Sequence, residues 1–171
     1  YFDLLIVGQY DPDDGGYYSS DDMPDRLIMS AGRPVLVVPY AGSFPNIGDH
    51  VIVSWDASRQ ATRAVHDSIS ILEKAKQVDV LSITPGDKKL GDAPGADICL
   101  HLARHGVTAT AQHIVTNDMD PADMLLSRAA DSSADMIVMG AYGHARWRES
   151  PGAGGGIRAA LRWDSARSPL S

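Results

Sequence analysis

The sequence predicts an α/β fold, a parallel sheet with helices on both faces. Three observations predict it. Runs of four apolar residues between an acid and a glycine occur twice, as Asp3-Leu4-Leu5-Ile6-Val7-Gly8 and as Asp135-Met136-Ile137-Val138-Met139-Gly140. Such short runs are apolar on both sides, as strands between two helical layers must be. From His50 onward, strand patterns alternate with helical ones, which calls for right-handed βαβ crossovers. Gly140 and Gly143 then bracket a strand-to-helix turn, where backbone N–H groups stand free for an anion. By spacing alone such a turn is most often a plain connection between strand and helix.

Composition narrows the function classes. The 171 residues are 44% hydrophobic and 22% charged, ordinary for one globular domain with extra material. A formal charge of -7 argues against binding along a nucleic acid backbone. Cys99 is the single cysteine, so no disulfide or thiolate zinc site forms within one chain. The absence of a long apolar run or leader pattern sets a cytoplasmic address and no membrane as the expectation. The chain starts at Tyr1 rather than Met, as a fragment would.

Taken in order, residues 3–8 form the first strand. After it, Asp11 stands where the later copy has Gly143, and an acid there repels an anion. Residues 11–25 are an acidic, turn-rich loop. Asp11, Asp13 and Gly16 match three positions of a calcium loop, but Asp22 stands where Glu belongs and no helix pattern precedes it, so a solvated loop is the expectation. Residues 33–39 are a proline-flanked strand of the edge type. Residues 41–48 read as a linker.

A complete alternation follows. Residues 51–55 form a strand, Ser58 caps a helix, and Ala61, Ala64, Val65, Ser68, Ile69 and Leu72 give that helix its buried stripe. Lys74 and Lys76 are expected at its C-terminal dipole. Residues 78–83 are the second strand, and 84–95 a loop. Residues 96–105 are a helix stopped by Gly106. Alternation at Val107, Ala109, Ala111, His113 and Val115 predicts a half-buried edge strand. Asp120 caps the next helix, Pro121 takes its first position, and Leu125, Leu126, Ala129 and Ala130 are its expected stripe. Residues 135–139 close the series. In such a sheet the ligand crevice lies at the carboxyl ends of the strands where the winding reverses, here between Asp56 and Gly140.

At these residues the chain resembles the universal stress protein (UspA-like) family in its tandem form, truncated. The resemblance rests on Val51-Ile52-Val53-Ser54-Trp55-Asp56-Ala57-Ser58, the loop after Ile83, and Asp135 through Gly143-His144-Ala145-Arg146. It covers residues 49 to about 149. It implies a Rossmann-like sheet ordered 3-2-1-4-5, pairing of modules through fifth strands, and a role in the stress response. It divides the chain into the end of a first module (1–44), a second module (45–149) and an irregular tail (150–171). One branch of the family binds ATP through Gly-x2-Gly-x9-Gly-Ser/Thr; another lacks the motif. Carried over by position, the nucleotide-binding residues are Ser54, Asp56, Ile83, Met139, Gly140, Gly143 and Gly154. The third glycine departs: Ala153 stands in its place, followed by Gly154 instead of Ser or Thr. No fifth-strand pattern follows Pro151. The tail is expected either to be read out of frame after about Glu149 or to be divergent, which resequencing the gene decides. The unpaired edge along 135–139 invites self-association, or repair by residues 33–39 moving in beside it.

Other constellations are weaker. His101 and His105 share a helix face near Cys99 without evident further metal ligands. Ser58, His66 and Asp67 are the residue types of a hydrolase triad, but no nucleophile elbow accompanies them. No Walker P-loop is present. Trp55 is a core residue or a pocket wall; Arg146 and Arg148 are surface residues or phosphate contacts. The expected function is a non-enzymatic stress-protein module with ATP as the implied ligand. The alternatives are an interaction module without nucleotide and a nucleotide hydrolase.

Overall fold

The structure is a computed structural model that describes residues 2–9, 23–86, 95–117 and 119–140. The elements are β1 (Leu5–Gly8), α1 (Met23–Ser30), β2 (Val35–Val38), β3 (His50–Ser54), α2 (Arg59–Leu72), β4 (Gln77–Pro85), α3 (Ala96–Arg104), β5 (Ala109–Thr116), α4 (Pro121–Ser132) and β6 (Met136–Val138). Strands β3 to β6 form one parallel sheet ordered β5-β4-β3-β6. Counted from β3, that is third, second, first, fourth, the order expected. A fifth strand would fall in residues outside those described.

Side chains alternate across this sheet and build two cores. Val51, Val53, Val78, Val80, Met136 and Val138 meet α2 and α3 on one face. Ile52, Leu81 and Ile137 meet Leu125 and Ala129 of α4 on the other. Burying each such side chain is worth about 1.5–3 kcal/mol, so both layers are needed to hold strands this apolar. Helices α2 and α4 start at their predicted caps. Ser58 caps α2, its Oγ accepting the Ala61 N–H at 3.1 Å. Asp120 caps α4 by accepting the Ala122 N–H at 2.8 Å, with Pro121 next.

Several expectations need correction. Helix α2 ends at Leu72, so Lys74 and Lys76 lie beyond its last turn. Lys76 instead bonds Asp49 at 2.8 Å, and that hydrogen bond to a carboxylate raises its pKa. Ala130 of α4 faces solvent, because only Leu125 and Ala129 point squarely at the sheet. Helix α1 was not legible: Pro24, Asp25 and Arg26 break up its apolar pattern. Strand β2 does not repair the open edge of β6 within the chain. It pairs in parallel with β1, from Leu5↔Val35 to Gly8↔Val38. Leu5 and Val7 bury one face of that pair with Val35, Val37, Ile28 and Ala31, a contact β2 would lose beside β6.

The two copies of the acid–apolar–glycine run put matching residues on matching faces. Leu5 and Val7 face α1, as Ile137 and Met139 face the α4 layer. Leu4 and Ile6, 39% and 62% exposed, correspond to Met136 and Val138, 1% and 6% exposed beneath α2. The copies differ in what covers them.

Polar contacts fix the start of the large sheet. Asp135 accepts three backbone N–H groups: Oδ1 those of Gly48 at 3.0 Å and His50 at 3.1 Å, Oδ2 that of Asp49 at 2.9 Å. Gly48 has a φ of 86°, a conformation that puts its N–H within reach and that a side chain disfavours. Beside it, His50 turns Nδ1 to the Ser132 carbonyl oxygen at 3.1 Å and Nε2 to the buried Asp79 carboxylate at 2.8 Å. Among the described residues, no helix is long and apolar enough to cross a membrane.

Replacing Asp135 by Asn puts an NH2 group against one of three N–H donors. Asp135→Asn is expected to lower stability by about 2 kcal/mol, read from the urea midpoint. Unchanged stability would show that the three bonds do not hold β6.

Candidate ligand-binding cleft

The cleft forms where β3 and β6 diverge, at the carboxyl ends of the strands. The space between its walls is about 460 Å³ with the open mouth counted, and that figure includes space open to solvent. Ser54 comes from the end of β3, on the same face as Ile52, so it points toward the α4 layer. Trp55 takes the opposite face, 8% exposed in the core, yet it also lines the cleft. Ile83 of β4 forms a wall, and Gly140 closes the side beyond β6.

The turn from β3 into α2 is tightly specified. Asp56 Oδ1 accepts the Ser58 N–H at 2.9 Å, which folds the chain back on itself. Ala57, between them, is held at φ 58°, a left-handed conformation that costs an L-residue about 1–2 kcal/mol. Asp56 itself is exposed and carries a negative charge at the start of α2, where the helix dipole favours it.

Gly140 is required by proximity, not by its φ angle. A Cβ there would stand 2.6 Å from the Ala61 backbone nitrogen and 2.6 Å from the Gln60 carbonyl carbon. The end of β6 therefore rests directly on the first turn of α2. This contact brings together residues 84 positions apart, Asp56 and Gly140, as the crevice rule required.

Of the seven residues named from the sequence, Ser54, Asp56, Ile83 and Gly140 line one cleft. Met139 does not; it packs beside the α4-side core. Gly143 and Gly154 lie outside the described residues, as do Arg146, Arg148, the acidic loop of residues 11–22 and the whole tail. Pro121 and Leu125 also line the cleft and were missed. The crossover from β5 to β6 must pass over β4 and β3, so α4 begins above their carboxyl ends. The expected strand order already carried that signal, since it sends the crossover over two strands.

The weaker constellations do not assemble a site of three side chains. Ser58 serves as a cap, and Asp67 lies 3.7 Å from Arg63 in an i,i+4 pair. The rings of His101 and His105 lie 4.8 Å apart between centroids and tilted by 56°, but no group of three metal-ligating side chains occurs among the described residues. Burial pushes the Cys99 thiol pKa up, and the nearby Asp97 charge adds to it.

No protein-family model matches the sequence, and no curated protein matches it. Solved structures do. One is a protein of the universal stress protein family from Burkholderia pseudomallei, at 20% identity and a TM-score of 0.47, covering 63% of this chain and 96% of that one. Another is a universal stress protein from Archaeoglobus fulgidus DSM 4304, at 15% identity and a TM-score of 0.54, covering 80% of this chain and 49% of that one. This chain thus spans about half the length of the Archaeoglobus protein.

Two opposite stability effects are expected at the cleft. Gly140→Ala should cost about 1–3 kcal/mol by pushing on the α2 backbone, whereas Ala57→Gly should gain up to about 1 kcal/mol by relieving its φ. Thermal unfolding of both variants checks this; a neutral Gly140→Ala would mean the contact is loose. The raised Cys99 pKa leaves less thiolate at a given pH than a free cysteine has. Its alkylation by iodoacetamide should be slower at pH 7–8 and reach half its maximal rate at higher pH. A rate equal to that of free cysteine would contradict the burial.

In fold, the chain is a parallel α/β module like the universal stress protein from Archaeoglobus fulgidus.

Proposed function

We propose that the chain is a non-enzymatic, cytoplasmic stress-response module that binds an adenine nucleotide in the cleft between Asp56 and Gly140. The convergence of Ser54, Asp56, Ile83 and Gly140 from three strands carries the reading. Asp56 and Gly140 were named from the crevice rule and Ser54 and Ile83 from the family resemblance, and all four line one opening. Apolar walls from Ile83, Pro121 and Leu125 suit a base, and the hydroxyls of Ser54 and Ser58 with Asp56 suit a ribose. Binding would stabilise the turn around Ala57 by mass action.

In this reading residues 1–44 are the end of a preceding module, 45–149 a second module and 150–171 an irregular tail. The repeated run and its matched faces support the first boundary. Self-association through a sheet edge belongs to the same reading. It is supported by β6, whose outer side pairs with no strand among the described residues. The departure at Ala153 and Gly154 favours the alternative, an interaction module without nucleotide.

Thermal unfolding with AMP and ATP separates the two. At 100 times Kd a ligand adds about 2.7 kcal/mol, a rise of several degrees for a chain this size. No rise at millimolar concentrations of either nucleotide would leave the interaction module. Sedimentation velocity over a concentration series should show a dimer; a monomer throughout would remove the edge-pairing part.

A further inference from the structure

Two exposed histidines stand side by side on α3. His101 lies in the last turn of the helix, and His105 is its C-cap, four positions on. Side chains at that spacing are neighbours on a helix surface. Ile98 and Leu102, 6% and 0% exposed, anchor the same turns to the sheet. The end of the helix is fixed by the His105 N–H on the Leu102 carbonyl at 2.9 Å and the Gly106 N–H on the Ala103 carbonyl at 3.1 Å. A packed helix thus holds two rings out in solvent. Among the described residues neither ring makes a hydrogen bond; their contact is with each other, 4.8 Å between centroids and tilted by 56°.

That separation matches what one shared metal ion requires. An ion bound by imidazole sits about 2.0–2.1 Å from the nitrogen, and the ring centre lies about 1.1 Å behind it. Two rings on one ion are then about 4.5 Å apart when the bonds meet at a right angle, and about 5.2 Å apart at the tetrahedral angle. The observed 4.8 Å falls between these values. The tilt agrees as well. Two planes that cross share a line, and an ion on that line lies in the plane of both rings, where nitrogen lone pairs point. Rings stacked in parallel have no such line. The charges also favour a cation. The C-terminal end of a helix dipole attracts one, as does a chain with a formal charge of -7. Asp97, one turn before His101, adds a negative charge on the same helix, against one arginine, Arg104.

We infer that His101 and His105 form a surface site for a late first-row divalent metal ion, of the copper, nickel or zinc class. The two imidazoles are its protein ligands, and water fills the remaining positions. Magnesium and calcium, which take oxygen ligands, do not suit it. Helix α3 runs back from the carboxyl end of β4 to the start of β5, so the site lies at the opposite end of the sheet from the cleft. A bound ion ties the last turn of α3 together.

Calorimetric titration of the full chain, without a polyhistidine tag, with copper(II), nickel(II) and magnesium chlorides tests it. One copper or nickel ion is expected per chain, copper the tighter, and no magnesium. His101→Ala and His105→Ala should each weaken nickel binding about a hundredfold, because a single ring loses the gain of binding twice. His66→Ala removes another exposed histidine and should change nothing. Should a variant not fold, the paramagnetic resonance spectrum of the copper(II) complex of the unaltered chain gives a second reading, with coupling to two imidazole nitrogens expected. No copper or nickel binding at millimolar concentration, binding unchanged by either α3 substitution, or coupling to a single nitrogen overturns the inference.

Discussion

Asp135 holds β6 in register, and the cleft depends on that register. Its carboxylate gathers the N–H groups of Gly48, Asp49 and His50, the last residues before and the first residue of β3. The backbone of Asp135 returns a bond to the His50 carbonyl at 2.9 Å. The neighbouring pairs are then fixed as Val51↔Met136, Ile52↔Ile137 and Val53↔Val138. A slip of one residue would turn Met136 and Val138 from the α2 face to the α4 face, against both cores. Hydrogen bonds that individually contribute modestly thus select one arrangement out of two.

That register has a consequence at the other end of the strand. Three residues beyond the clamp, β6 ends, and Gly140 arrives against Gln60 and Ala61 with no room for a side chain. The first turn of α2 is fixed from both directions, by Gly140 across the sheet and by the Asp56–Ser58 turn from within. The strain at Ala57 is held in place by these contacts. Such positions cluster where a protein holds backbone ready for a ligand.

The repeated run shows how much a strand depends on its setting. Residues 3–8 and 135–140 have the same pattern and divide their side chains between faces in the same way. Yet Leu4 and Ile6 are exposed where Met136 and Val138 are buried, because among the described residues a helix covers only the second on that face. Asp3 is likewise exposed, while Asp135 is half-buried among the N–H groups it binds.

The sequence by itself determined the fold class, the caps at Ser58 and Asp120, the turn glycines and the strand-end positions of the cleft. These follow from local chemistry: side-chain periodicity, capping oxygens, and residues such as Gly106 that permit a left-handed turn. It also placed Asp135 before a strand, without showing what the carboxylate binds. Only the tertiary structure decided the partners. The amides that Asp135 accepts lie 85 to 87 residues away in sequence, beyond the reach of any local pattern. The pairing of β2 with β1 rather than β6 was settled by which apolar faces could be buried together. Pro121 and Leu125 joined the cleft because a crossover of two strands carries α4 over it. The close approach of Gly140 to α2 arises from packing between elements, and no spacing along the chain encodes a distance across a sheet.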